Sequence, residues 1–498
     1  MNLPIVAKVL GFLIMGLSAI GIIPLLVAIG YQDPRGPWPW LVMTACAFVV
    51  ALALLFCGRQ ARGEDLSIRE GIAITSCIWI LASLIGAIGI LLAVPQLDFI
   101  SAWFESMSGF TTTGSSVFGT EILISELPRG VLIWRHIMQW LGGLGIVVIS
   151  LSLLPLITGG GGFSLYRAEM PGITNERLAP RIADTARLLV IFYTAVTILC
   201  AFALWLVGAK PFTAIGHAMS SIATGGFSSF DDSIDGFQSE AAEWIIILGM
   251  LAGGLSFAML LGALRGRPLR IWQNAESRIF LCLIAFAIVV TAVTLHFQSD
   301  FYNGNTHDLW RHASFNIVST ATSSGFAVGH HATPDGGSWS SWPPGTQMLL
   351  IALMIIGGCT GGTAGGSKVI RWVVAWKALR SELRRAVEPS RVTVVSIDGK
   401  PLGDRVLLQV GSFFIILVIC WAIGTLIISL EGHGLDTAAG AAITAVSNNG
   451  PGLGEVRVGG SFSALGPVSQ LTCILLMLIG RLEFFGIIAL CSWRHWRR

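Results

Sequence analysis

Four times along this chain a short polar stretch ending in glycine interrupts strongly apolar sequence. The stretches are Thr111-Thr112-Thr113-Gly114, Ile222-Ala223-Thr224-Gly225, Thr322-Ser323-Ser324-Gly325 and Ser447-Asn448-Asn449-Gly450. Backbone that leaves a helix at membrane depth is tolerated only where protein buries it or where it lines water. Four such breaks in one chain are what a four-fold ion filter built within a single polypeptide requires.

Composition places the breaks in a bilayer. Of 498 residues, 54% are hydrophobic and 12% are charged, about half of the roughly 25% charge of soluble domains. Ten apolar spans fit, near 4–29, 38–57, 72–94, 131–157, 185–207, 242–264, 278–297, 346–370, 406–430 and 467–492, each close to the length that crosses a bilayer. The first run, Val9–Ile29, is too long for a signal-peptide core and is followed by no small-x-small cleavage site, so it reads as a membrane helix. The nine cysteines are isolated and lack CxxC spacing. They read as small core residues rather than disulfides or metal ligands.

Charge sets the orientation. With the N-terminus inside, cytoplasmic segments hold 24 of the 31 lysines and arginines. External loops hold six (Arg35, Arg129, Arg135, Lys210, Arg311 and Arg457), and Arg481 falls within the last span. That bias places both termini in the cytoplasm. The external loops also carry sixteen carboxylates, among them Asp231, Asp232, Asp235, Glu240 and Glu243. These are either solvated loop surface or an acidic vestibule that concentrates cations.

After the first two spans one grammar repeats four times: an apolar span, an external loop, a short helix, a polar-glycine break and a second span. The short helices are expected at 99–110, 211–221, 306–320 and 435–446. Pro211 suits a first helical position and Thr306 an N-cap. Each is too short to cross a bilayer and should enter from outside and turn back. Its partly negative C-terminal end then faces the break, where it favours a cation. The breaks carry no charge, so selectivity rests on carbonyl and hydroxyl oxygens, which replace the hydration shell of a monovalent ion; a divalent ion would ask for carboxylates. The candidate ligands are Thr112, Thr113 and Gly114; Ala223, Thr224 and Gly225; Ser323, Ser324 and Gly325; and Asn448, Asn449 and Gly450, mainly through their backbone. In the second break Gly225 and Gly226 both fit the glycine position.

These motifs resemble the Trk/Ktr/HKT superfamily of potassium-uptake proteins, and most closely its TrkH-type membrane subunits. The likeness runs the length of the chain. It rests on Ser108-Gly-Phe-Thr-Thr-Thr-Gly114, Ala223-Thr-Gly-Gly-Phe227, Thr322-Ser-Ser-Gly-Phe326, Ser447-Asn-Asn-Gly-Pro-Gly452, Gly357-Gly-Cys-Thr-Gly-Gly362 and Ile479-Gly-Arg-Leu-Glu483. It implies an all-α polytopic fold of ten transmembrane helices and four re-entrant pore helices. Two N-terminal helices (1–66) would precede four membrane–pore-loop–membrane repeats (67–165, 166–270, 271–395 and 396–498) around one pseudo-four-fold pore. It further implies a homodimer in the bacterial inner membrane, in contact with lipid. K+ is then the transported ion, with no organic cofactor and no nucleic-acid partner. Control would come from a separate cytosolic nucleotide-binding regulatory subunit. In related plant proteins serine at the first filter glycine accompanies sodium permeation, so Gly114 favours potassium.

Two features inside the spans concern gating. Arg481 lies within an apolar span, at a cost of a few kcal/mol or more unless compensated. Glu483, two residues on, points to a different helix face and should not pair with it directly. The resemblance places this arginine in the pore below the filter; the alternative is a packing salt bridge. Glycines 357, 358, 361, 362, 365 and 366 (Gly357, Gly358, Gly361, Gly362, Gly365 and Gly366) would each cost a helix nearly 1 kcal/mol. They are read as a break forming a flexible flap under the filter, with close helix packing as the alternative. A phosphate loop is excluded, since Gly366-Ser367-Lys368 reverses the required order.

Weaker signals complete the reading. Arg371–Arg391 mixes bases with Trp372, Trp376, Leu379 and Leu383, as an interfacial helix or a docking surface for the regulator. His330-His331 reads as solvated loop and Gly159–Gly162 as a connector. No Ser/His/Asp or Cys/His constellation stands in a catalytic context, so no enzyme is expected. A secondary transporter of another small solute, or sodium- or proton-coupled potassium symport, stays open as the alternative.

Overall fold

A computed structural model describes residues 2–61, 68–152, 178–266, 269–302, 304–329, 337–390 and 394–483. His330-His331, Gly159–Gly162, Arg391 and the end of the last expected span lie outside the described residues.

The chain is helical almost throughout. Helices α1 (Leu3–Ile20), α2 (Ile22–Gly30) and α3 (Trp38–Cys57) come first, then α4 (Ile68–Ala93), the short α5 (Phe99–Phe110) and α6 (Arg129–Ser152). Next come α7 (Leu178–Leu206), the short α8 (Pro211–Ile222), α9 (Glu240–Gly254), α10 (Phe257–Leu264) and α11 (Arg270–Gln273). Helices α12 (Ala275–Gln298), the short α13 (Thr306–Ala321), α14 (Pro344–Ile356) and α15 (Val369–Val387) follow. The described chain closes with α16 (Asp404–Leu430), the short α17 (Leu435–Ser447) and α18 (Pro467–Arg481). The only strands among the described residues form a short hairpin pairing Ser396–Ile397 with Lys400–Pro401.

Six helical stretches among the described residues are long and apolar enough to cross a membrane: Leu3–Gly30, Trp38–Cys57, Arg69–Ala93, Asp184–Leu206, Ala275–Gln298 and Asp404–Leu430. Their outer faces show why. Ile415, Leu426, Phe286 and Val289 are exposed apolar side chains on α16 and α12, which suits lipid and not water. The short helices are the reverse. Along α17, every residue from Ala441 to Ser447 is buried in protein.

Local chemistry starts the short helices where the sequence suggests. The Asp98 carboxylate accepts the Ser101 amide at 2.9 Å and caps α5. Pro211 opens α8. Helix α13 is capped one residue earlier than expected, by Asn305, whose side chain accepts the Asp308 amide at 3.2 Å; Thr306 is its first helical residue.

One expected span differs. Residues 242–264 do not form one helix, because α9 and α10 meet at a bend of 109° across Leu255-Ser256. The span expected at 346–370 carries the break read at its glycines: helix stops at Ile356 and resumes only at Val369. A further difference concerns Arg135, counted above among external loop residues. It sits within α6 and is 1% exposed, its guanidinium 2.7 Å from the buried carboxylate of Glu105. Glu243, assigned to the external loops, lies buried on α9, 3.1 Å from Arg311.

Buried apolar side chains form two large clusters. One joins α1–α6 to α16–α18, with Trp134 between Trp40 and Phe110 at ring separations of 6.2 Å. The other fills α7–α15. The four breaks lie between these two halves.

Candidate functional site

One device ends all four short helices. The amides of Thr113, Gly225, Ser324 and Asn449 reach back to the carbonyls of Ser108, Ser220, Ser319 and Thr444 at 2.9, 2.8, 2.8 and 2.9 Å. This is the six-to-one bond of a Schellman closure, which normally puts glycine in the left-handed position. Here that position holds Thr112, Thr224, Ser323 and Asn448, with φ of 52, 50, 52 and 51°. Side chains there cost of order 1–3 kcal/mol and persist only where the surroundings dictate them. Two residues on, Gly114, Gly226 and Gly325 take φ of 82, 81 and 83°, angles open to glycine and few others. Gly450 does not share this angle. The common frame aligns Ala223-Thr224-Gly225-Gly226 with the other breaks, one residue later than the motif reading had it. Gly226 is therefore the counterpart of Gly114, and Gly225 matches Thr113, Ser324 and Asn449.

The four loops meet. A methyl built on Gly114 would run into the carbonyl oxygen of Gly225, and one on Gly226 into that of Ser324. One on Gly325 would lie 2.9 Å from the Gly450 amide nitrogen, and one on Gly450 would lie 3.1 Å from the Gly114 oxygen. First, second, third and fourth loops thus abut in a closed cycle. The Asn448 amide donates to Thr113 Oγ1 at 3.2 Å, and Ser115 Oγ donates to the Gly450 carbonyl at 2.9 Å. All four glycines border a cavity of about 110 Å³, with Asp231 and Arg457 on its wall. None of the twelve candidate ligand residues is ionisable.

The segment between α14 and α15 lies against the other end of the cycle. The Gly365 amide donates to Ser323 Oγ and the Gly366 amide to the Ser447 carbonyl, the latter at 2.8 Å. Gly365 has no room for a side chain, since a Cβ would strike the Ser447 carbonyl. The bend between α9 and α10 receives the same segment through its backbone. Cys359 and Thr363 donate to the Gly254 and Gly253 carbonyls at 2.8 and 2.9 Å, and the Phe257 amide donates to Gly361 at 3.1 Å. The glycine-rich stretch is thus a hydrogen-bonded, non-helical insert between α14 and α15.

Arg481 ends α18 and reaches this insert. Its guanidinium donates to the Thr363 carbonyl at 3.0 Å and to the Gly142 carbonyl at 3.2 Å, and the residue is 3% exposed. Glu483 pairs instead with Arg371 on α15. So the packing salt bridge weighed for Arg481 is not what the arginine makes among the described residues.

Several supporting residues carry no motif. Glu276, in the first turn of α12, accepts from the Thr360 amide at 2.7 Å, the Thr360 hydroxyl at 3.0 Å and the Ile370 amide at 3.3 Å, gripping both ends of the insert. The buried Lys368 ammonium donates to the Ala364 carbonyl. On α6, Arg135 donates to the Ser228 carbonyl at 2.8 Å, and His136 joins Ser220 to Ser229 at 2.7 and 2.9 Å. The sequence signal for Arg135 and His136 was polar side chains inside an otherwise apolar span. In the loops, acidic side chains anchor structure. Asp231 accepts the Ile124 amide at 2.6 Å and Asp235 the Gly329 amide at 2.9 Å. Arg311 lies 2.5 Å from Glu240 and 2.8 Å from Asp308.

Exposed apolar faces on long helices and four buried, uncharged helix ends that abut in a cycle define a membrane transport protein. The chain belongs to the TrkH family, described as cation transport proteins, whose family model matches residues 41–495. It is 35% identical to the Trk system potassium uptake protein TrkH of Salmonella typhimurium strain LT2 and 36% identical to that of Escherichia coli strain K12, each over 100% of both chains. The crystal structure of the potassium transporter TrkH from Vibrio parahaemolyticus superposes with a TM-score of 0.88 at 31% identity, again over 100% of both chains.

Proposed function

We propose that this chain is the potassium-translocating subunit of a bacterial inner-membrane uptake system and passes dehydrated K+ through one asymmetric pore. The observation that carries this reading is the closed cycle of four charge-free loops. Carbonyl and hydroxyl oxygens of Thr112–Gly114, Ala223–Gly226, Ser323–Gly325 and Asn448–Gly450 take the place of the ion's water. The negative ends of α5, α8, α13 and α17 add a favourable field for a cation. None of these loop residues supplies a carboxylate that would bind so tightly that a monovalent ion could not leave.

Below this filter the insert Gly357–Gly366 and Arg481 form the gate. The insert obstructs the path, and the guanidinium raises the barrier to a passing cation while fixing the insert through Thr363. Both termini face the cytoplasm, on the positive-inside bias, which places α15 and its basic face there as the docking surface for a nucleotide-binding regulatory subunit. Two copies pair in the membrane, each with its own pore. Flux is driven inward by the membrane potential, worth about 2.3 kcal/mol per charge per 100 mV.

Rubidium uptake into vesicles containing the purified chain tests this, with sodium and proton gradients varied separately. Uptake should follow an inside-negative potential and be suppressed by external potassium far better than by sodium. Uptake that vanishes without a sodium or proton gradient replaces the pore with coupled symport; no uptake under any gradient rejects the assignment.

A further inference from the structure

The second loop differs from its neighbours at the two positions flanking its left-handed residue, and a side chain from outside the loop takes their place. In the first and third loops the residues flanking the left-handed position pair through hydroxyls: Thr111 with Thr113 at 2.7 Å, and Thr322 with Ser324 at 2.8 Å. The second loop has Ala223 and Gly225 at these places and can form no such pair. Gln139, on α6, occupies the space instead. A Cβ on Gly225 would run into its amide group. The Gln139 nitrogen donates to the Gly225 carbonyl at 2.6 Å, and its oxygen accepts the Phe227 amide at 3.1 Å. One partner is an acceptor and the other a donor, so chemistry fixes which way the amide points. Gln139 thereby holds the peptide groups on both sides of Gly226. Among the described residues, no other carbonyl at the matching positions (Thr113, Ser324 and Asn449) accepts from an amide side chain.

We infer that Gln139 is a specificity-determining positioning residue: it replaces the missing hydroxyl pair of the second loop and sets the tilt and donor strength of the Gly225 carbonyl toward the ion. This rests on the filter reading above. A carbonyl that already accepts a strong hydrogen bond offers a cation less of its field, and one held at a fixed angle cannot collapse onto a smaller ion. The second quarter of the filter is therefore tuned from the first repeat, and Gly225 is glycine because Gln139 fills the position a side chain would take.

The test is the rubidium-over-sodium uptake ratio in vesicles for Gln139→Met, which keeps the volume and removes both bonds, with Gly114→Ser measured alongside. The Gln139→Met ratio should fall about fivefold, the scale of one ordinary hydrogen bond. An unchanged ratio for Gln139→Met while Gly114→Ser lowers its own overturns the inference and leaves the filter standing. If neither variant shifts the ratio, the filter reading fails and takes this inference with it. Gly225→Ser, Gln139→Ala and their combination close a double-mutant cycle. Gly225→Ser should be severely impaired alone and substantially rescued by Gln139→Ala, an effect that general loss of packing would not produce. Additive impairment would overturn the pairing even if Gln139→Met accumulates poorly.

Discussion

A guanidinium brings five hydrogen-bond donors, and Arg481 places two of them on backbone carbonyls, those of Thr363 and Gly142. Its Nε has no partner among the described residues. Charge held this way, without a carboxylate against it, is easy to remove. Arg481→Ala should raise rubidium flux by about tenfold, the equivalent of 1.4 kcal/mol off the barrier, with the thermal midpoint near that of the parent. A folded variant with unaltered flux would mean the arginine only packs. At Gly114 the constraint is steric as well as conformational, because a Cβ there meets the Gly225 carbonyl. Gly114→Ser should therefore displace the second loop as well as its own. The expected result is weakened discrimination between potassium and sodium, read as a smaller rubidium-over-sodium ratio in tracer uptake.

At the scale of elements, the glycine-rich insert is held by backbone bonds to the α9–α10 bend and to two of the four loops, and by Glu276 at both ends. A carboxylate accepting several N–H and O–H bonds is worth more than a neutral acceptor in the same place. Glu276→Ala should loosen the insert as a unit. Cys359, fully buried within it, is a native reporter. In a background with the other cysteines replaced by serine, its rate of maleimide labelling should rise about tenfold in Glu276→Ala, on the scale of one charge-assisted bond. Equal labelling rates would show that Glu276 contributes nothing to closure. The α9–α10 bend explains why the insert can be so short of side chains. Carbonyls of Gly253 and Gly254, freed where the helix stops, find their donors in Thr363 and Cys359. Each element satisfies groups that the other leaves open.

For the whole molecule, the two halves are tied by buried polar bonds as well as by apolar packing. Arg135 and Glu105 join α6 to α5, and Arg135 reaches the segment after the second break through Ser228. Glu105→Ala strands a buried guanidinium and should destabilise the protein by about 3–5 kcal/mol, seen as a lower thermal midpoint in detergent; an unshifted midpoint would show the pair to be dispensable. These long-range ties also mark where the sequence stopped being readable. The short helices were legible to within a residue or so, because starts such as Pro211 are local signals. The breaks were legible because polar residues and glycine contrast with apolar surroundings. The left-handed Thr112 and Thr224 were not, since a Schellman closure is expected to show glycine there. Nor was the register of the second loop, where Gly225 and Gly226 both fit the glycine position. The bend at Leu255 was invisible because its donors lie about a hundred residues further on. Arg135 was misplaced because counting charges treats any arginine near a helix end as loop.

The insert comes from a single quarter of the assembly, and the kinked helix that receives it belongs to one other. An iris made of four equal blades must move all of them together, whereas a bolt slides alone. Displacing this one stretch of chain would clear the route with the ring of loops left in register. On the proposed function, a cytosolic partner would have to push on only one side of the molecule to command the passage, and the chemistry that chooses the ion would stay undisturbed by the event that admits it.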